Sequence, residues 1–299
     1  MTETAFARNA QGAPPARPGR RFSLTWLGLV PFLVFSTLFL LIPTAYLIVG
    51  SFVDSTTGDV TLQNYARLTE GLQLNAYLTS IEISLITALA GGIFGFLMAY
   101  AVISGGPRRL RGPLMTFSGV ASNFAGIPLA LAFVFTIGRT GLVTTFLAGL
   151  GINPYDGGFT IYSKIGLEIV YLYFQLPLMI LIIAPAIDGL KREWREASEN
   201  MGATTFQFWR YVALPILMPS LLGSMILLFG NAFGAQATAY QLTGGFINLV
   251  TILIGNQLTG DVLHNKGAGY ALAMGMVAIL GITLLAYQFL QRRSERWLR

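Results

Sequence analysis

The sequence predicts an all-α membrane protein with six transmembrane helices and both termini cytoplasmic. Three observations carry that reading: little charge, long uncharged apolar runs, and basic residues crowded onto one side. Of 299 residues, 54% are hydrophobic and only 11% charged, and the mean hydropathy is +0.63. A soluble chain of this length needs more charge to cover its surface. Phe22 to Val53 holds no charged side chain and exceeds the roughly 20 residues that span a bilayer.

Six apolar segments follow in order: Leu24–Ser51, Tyr77–Ile103, Pro113–Ile137, Ile161–Ile187, Leu214–Gln236 and Ala268–Phe289. The first is too long for a signal peptide and leads into further spans, so it reads as a retained helix. The stretch before it, residues 1–21, is rich in Ala, Pro, Gly and Arg and reads as a disordered cytoplasmic tail. Residues 22–299 then form one six-helix domain. A seventh apolar run, Phe246–Leu258, is broken by Asn248, Gly255, Asn256 and Gln257. It is too short and polar to span, so it reads as an outer-face or re-entrant helix.

With six spans, the N-terminal tail, the second-to-third and fourth-to-fifth connections and the C-terminal tail share a side. These stretches hold 15 of the 19 basic residues, including Arg108, Arg109 and Arg111. The excess of positive charge places that side in the cytoplasm. The net charge of +6 thus reports topology rather than a nucleic-acid partner. Trp26, Trp194, Trp209 and Trp297 all fall at the same boundary, where amphipathic rings settle. Gly91 and Gly95 have the small-xxx-small spacing of closely packed helices. Pro43, Pro128, Pro177 and Pro185 kink their helices or mark their ends.

The composition also limits the chemistry. There is no cysteine, and His264 is the one histidine. Neither a Cys/His metal motif nor a thiol nucleophile can be built, so no catalytic residue, metal site or cofactor is assigned. No Gly-rich phosphate loop ending in Lys-Ser or Lys-Thr is present. A membrane enzyme therefore has little support. A secondary transporter would show repeated broken spans with coupling-ion carboxylates, and no internal repeat stands out.

The connection 188–215 differs from the other loops. Asp188-Gly189 offers a helix stop, Glu193 to Met201 has helical composition, and Gly202 is a breaker. Thr204 or Thr205 can cap a second short helix carrying Phe206, Phe208 and Trp209, and Pro215 suits the first turn of the next span. The loop reads as helix, glycine turn, helix and membrane re-entry.

These residues resemble the cytoplasmic signature of permeases from binding-protein-dependent importers of the ABC class. That signature runs Glu-Ala-Ala, three residues, Gly, nine residues, Ile, one residue, Leu-Pro. Here Glu196-Ala197-Ser198, Gly202, Val212, Leu214 and Pro215 keep every spacing, with Ser198 and Val212 as the two departures. The resemblance implies a multi-pass protein of the bacterial inner membrane and a coupling helix docked in a cleft of a separate ATPase. Small residues at the contact are Ala197, Ser198 and Gly202, and the apolar anchors are Met201, Phe206 and Phe208. Glu196 is the candidate partner for a basic residue, while Leu214 and Pro215 close the motif. The implied partners are an ABC ATPase dimer, a second permease (the same chain or another), an extracytoplasmic solute-binding protein and the lipid bilayer. ATP is hydrolysed by the ATPase.

Ile247–Gln257, especially Leu253-Ile254-Gly255-Asn256, is similar to the segment after the fifth span of spermidine/putrescine permeases. A polyamine is the substrate this implies, with phosphonate, opine or ferric iron as alternatives. Candidate path residues are Glu82, Asn123, Asn231 and Gln236. A charge at the bilayer centre costs roughly 2.5–3.5 kcal/mol, so such groups face a bundle interior or cavity. Lys164 and Glu168, one turn apart, are read as neutralising each other.

Overall fold

The computed structural model describes residues 28–105, 107–259 and 265–295. The predicted tail 1–21, Trp26, His264 and Trp297 lie outside these residues. The described residues are helical throughout, apart from turns and one isolated bridge between Val53 and Val60. The chain divides after Tyr46 into two units.

The first span runs from Val30 to Ser51. It comprises α1 (Val30–Ser36), a π-helical turn at Thr37–Leu41, and α2 (Ile42–Ser51). The wide turn has a local cause. Pro43 has no N–H, and its ring presses on the carbonyl of Phe39, the residue at the middle of the turn.

The second unit opens with the end of α2, followed by a loop and the short α3 (Gln63–Ala66). Buried Asn64 ties the loop down by donating to the carbonyls of Ser51 at 3.1 Å and Val53 at 3.0 Å. The spine is α4 (Gly71–Ser104), long enough at about 51 Å to overreach a hydrocarbon layer of about 30 Å. It packs most closely against α8 (Lys164–Asp188) and α11 (Leu214–Phe233).

Glycines seat those neighbours. A Cβ on Gly91 would stand 2.8 Å from the Cβ of Gln175, and one on Gly95 would stand 2.6 Å from the Cβ of Met179. A Cβ on Gly92 would meet Met225 of α11 at 2.7 Å. The small-residue spacing therefore serves helix packing.

The expected third span, Pro113–Ile137, is split. α5 (Arg108–Asn123) ends at Phe124, and α6 (Gly126–Ile137) starts afresh at Gly126, whose φ is +75°. The side chain of Asn123 folds back onto the Gly119 carbonyl at 2.8 Å, and Pro128 supplies no N–H to the first turn of α6. A further helix, α7 (Leu142–Gly149), extends α6, so the third of the six apolar spans among the described residues is Gly126–Gly149.

The loop after α8 holds α9 (Arg192–Asn200) and α10 (Thr205–Phe208). A second π-helical turn, Trp209–Ala213, leads into α11. Its cause repeats the first: Pro215 stands two residues beyond the turn and presses on the carbonyl of Tyr211 at its middle. After α11 come α12 (Gln236–Thr243), α13 (Val250–Thr259) and α14 (Lys266–Glu295).

The short seventh run is the buried α13, packed on α4 and α14. Ser80 of α4 accepts from the Val250 N–H at 3.0 Å, and Tyr77 donates to the Leu272 carbonyl of α14. Thus α4 anchors both of the last two helices.

Candidate functional site

The 188–215 loop is organised by two local motifs. At the end of α9, the Gly202 N–H donates to Glu199 at 2.9 Å and the Ala203 N–H reaches back to Ser198 at 3.0 Å. This is the Schellman pair of bonds, and Gly202 supplies its left-handed residue at φ +79°. Two residues later a capping box starts α10. The Gln207 N–H donates to Thr204 Oγ1 at 3.3 Å, and the Thr204 N–H donates to Gln207 Oε1 at 2.7 Å. Glycine turn and threonine cap thus fix the angle between the two short helices. Gln207 was readable as the fourth residue of a Thr-x-x-Gln box.

The expected contact residues divide into two groups. Met201 and Phe206 are 80% and 71% exposed, and Ala197, Gly202, Leu214 and Pro215 are also exposed. Ser198 and Phe208 are buried, at 4% and 8%. The Ser198 hydroxyl donates to the Arg195 carbonyl at 2.8 Å within its own helix. Glu196 accepts from Arg192 at 2.8 Å, beside a second such pair, Arg195–Glu199, at 2.9 Å. Pairs of this kind are worth about 0.3–0.5 kcal/mol, so Glu196 can exchange partners cheaply.

Beneath α9 lies a cleft of about 680 Å³, reaching the ends of α4 and α8 at Tyr100, Ser104 and Asp188. Arg111 of α5 pairs with Asp188, a link the sequence did not suggest.

The path candidates do not form one cluster. Asn231 and Gln236 line a cleft of about 510 Å³ with Ser122, Gly126, Phe174 and Thr238. It lies where two spans break, between α5 and α6 and between α11 and α12. The Gly126 N–H donates to Thr238 Oγ1 at 2.8 Å, and Tyr171 donates to the Ala235 carbonyl at 2.7 Å, so each break is held by a side chain. Helical rise places Phe174 and Asn231 about 21–26 Å from the ends of α8 and α11 that carry the 188–215 loop.

Asn123 does not line this cleft, because its amide caps its own helix. Glu82 lies elsewhere too, at the far end of the spans. Its carboxylate accepts from Lys164 at 2.8 Å across α4 and α8. The expected pairing of Lys164 with Glu168 is therefore replaced by an interhelical one.

Gln175 is a residue the sequence reading missed. It is fully buried in α8, donates through Nε2 to the Leu228 carbonyl at 2.9 Å and leaves Oε1 without a partner. A glutamine inside an otherwise apolar span was the available signal.

Comparison with known proteins now bears on this architecture. Residues 91–299 match the family described as binding-protein-dependent transport system inner membrane component, which is more than half of the chain. The spermidine/putrescine transport system permease protein PotB of Haemophilus influenzae is 26% identical over 277 residues, covering 88% of this chain and 94% of that protein. The probable sulfate transport system permease protein cysT of Nephroselmis olivacea is 23% identical over 269 residues, covering 88% and 90%. A crystal structure of a bacterial ABC transporter that imports alginate has a similar fold, with a TM-score of 0.70, 16% identity and coverage of 90% and 95%. Six apolar helices among the described residues and the family match over residues 91–299 make the chain a multi-pass inner-membrane permease subunit of an ABC importer. It belongs to the family of inner membrane components of binding-protein-dependent transport systems.

Proposed function

We propose that this chain forms half of a solute path and receives its driving force through the 188–215 loop. The observation that carries the proposal is the exposed pair Met201 and Phe206, held on either side of the Gly202 turn. Large apolar side chains fixed in water beside a charged helix mark a protein contact. Ala197, Gly202 and Glu196 complete the face that docks on an ABC ATPase dimer. Ser198 and Phe208 support it from behind rather than touching the partner, and Leu214 and Pro215 return the chain to the membrane. The loop and both termini are cytoplasmic by the positive-charge rule, and residues 22–299 make up the permease domain.

The polar cleft at the two helix breaks is the proposed stretch of path. Amide and hydroxyl side chains and broken backbone at membrane depth need water or protein opposite them, not lipid. A second permease, identical or different, supplies the other wall, and a solute-binding protein delivers the solute on the far side. The chain supplies no catalytic group, and ATP is hydrolysed by the docked ATPase.

The solute proposed first is a polyamine, from the spermidine/putrescine permease among the relatives. The sulfate permease relative makes a small oxyanion the second reading. Asn231 and Gln236 offer donors and acceptors that serve either.

Co-purification tests the docking face. Met201→Ala with Phe206→Ala should strip the ATPase from an affinity-tagged permease that still inserts and stays monodisperse. Full retention of the ATPase would remove the loop from the interface. For the solute, a thermal-shift screen of the partner binding protein against spermidine, putrescine and sulfate decides between the two classes.

A further inference from the structure

Behind the docking face, the second loop helix is joined to the spine of the bundle by aromatic rings. The Trp209 ring centroid lies 4.6 Å from that of Tyr100 at 79°, and 6.4 Å from that of Phe96 at 82°. Phe96 and Tyr100 stand one turn apart on α4, with centroids 6.4 Å apart. The two Trp209 contacts are edge-to-face, a favoured arrangement of aromatic pairs, and few torsions are available to relax them. Phe208, at 8% exposure, lines the cleft beneath α9 together with Tyr100.

The connection from α10 to α11 is of another kind. It passes through the π-helical turn Trp209–Ala213 ahead of Pro215, where the regular ladder of hydrogen bonds is interrupted. The loop helix is thus held firmly to α4 and jointed to α11, although α11 follows it in the chain. On its far side α4 is in close contact with α8 through Gly91 and Gly95.

We propose that Trp209, the C-cap of α10 and the first residue of the π-helical turn, is the positioning residue that passes a displacement of α10 to α4, with the rest of the turn, Arg210–Ala213, as the joint that lets α11 lag behind. The proposal rests on the docking reading of the loop, because the displacement originates at the ATPase. Met201 and Phe206 then receive the movement, and Trp209 with Tyr100 and Phe96 carries it into the membrane.

Distance measurements test this in the assembled transporter. The chain has no cysteine, so nitroxides can be placed at Thr205→Cys and Leu97→Cys, and separately at Thr205→Cys and Leu227→Cys, all at exposed positions. Between the nucleotide-free and ATP–vanadate-trapped states, the 205–97 distance should stay single and narrow while the 205–227 distance shifts. Trp209→Ala should abolish the narrow 205–97 distance with the ATPase still bound, and Trp209→Phe should restore it.

A 205–97 distance that moves with nucleotide in the parent overturns the proposal, as does one that Trp209→Ala leaves narrow. Loss of the ATPase in Trp209→Ala also overturns it, by making Trp209 part of the dock. Retention of the ATPase by the Met201→Ala, Phe206→Ala variant would instead defeat the docking reading, and the two distance pairs would still judge the relay.

Discussion

Lys164 of α8 donates to Glu82 of α4 at 2.8 Å, and the pair bridges the two most closely packed spans of the second unit. Both side chains are about half exposed, at 47% and 50%. Counted along α4 and α8, the pair sits about 33–36 Å from the helix ends nearest the 188–215 loop, at the edge of a hydrocarbon layer of about 30 Å. The charges therefore meet at an interface, where neither is deeply desolvated.

Glu82→Gln is accordingly expected to act on stability rather than on uptake. The loss should be under about 1 kcal/mol, the range of exposed ion pairs. A double-mutant cycle with Lys164→Met, read by thermal unfolding in nanodiscs, measures the coupling. An increase of several-fold in the KM for uptake at unchanged stability would return Glu82 to the solute path.

Glycine placement gives a sharper contrast. A Cβ on Gly95 would lie 2.6 Å from the Met179 Cβ and 3.0 Å from the Leu176 carbonyl, whereas one on Gly119 of α5 meets nothing within 4 Å. Gly95→Val should destabilise by about 1–3 kcal/mol or prevent assembly, because α8 must move away. Gly119→Ala should stabilise by about 0.5–1 kcal/mol through helix propensity alone. Thermal unfolding of both variants checks the pair; equal effects would mean that α4 and α8 are not in the close contact described.

Outside the spans, Asp54 accepts from the hydroxyl and N–H of Thr56 and from the N–H of Thr57. These bonds, the Thr56 hydroxyl foremost, hold its carboxyl below the ordinary 3.8. A group lowered on folding contributes its stability above the unfolded value and loses it as pH falls through the folded one. The protection of amides 54–60 against hydrogen exchange, taken relative to the intrinsic rate at each pH, should therefore be constant down to about pH 5 and fall only as the ordinary carboxylate range is crossed. Thr56→Val should bring the folded value back toward 3.8 and so shrink that pH-dependent loss of protection. An equal loss in variant and parent would show that the hydroxyl does not hold the carboxylate.

What the sequence revealed, and what it hid, follows from the range of the interactions. Six spans were legible because hydropathy accumulates residue by residue. The Gly202 turn and Thr204 cap were legible because their partners lie within five positions. The split of the third span was not, because the N–H of Gly126 is satisfied by Thr238. The Glu82–Lys164 pair spans 82 positions, and no local pattern distinguishes it from the nearer Glu168. Ser198 and Phe208 illustrate a third case. Their place in the motif was legible, but which face of a short helix turns inward depends on α4 and on the cleft behind it.

Gly202 is where local chemistry and proposed function meet. Its φ of +79° closes the Schellman turn, and a Cβ there would meet nothing within 4 Å. Space is not the constraint; backbone conformation is. A left-handed residue with a side chain costs about 1–2 kcal/mol, less for asparagine, which tolerates this region. Gly202→Val should therefore open the angle between α9 and α10 and separate Met201 from Phe206, with Gly202→Ala intermediate and Gly202→Asn mildest. Gly202→Asp adds a carboxylate at the proposed contact and should lower ATPase retention further than Gly202→Asn, its near isostere. Pull-down of the ATPase across the four variants, each first shown to insert and stay monodisperse, reads both effects. If retention followed side-chain volume alone, with Asn as damaging as Asp, backbone strain at the turn would not be the cause.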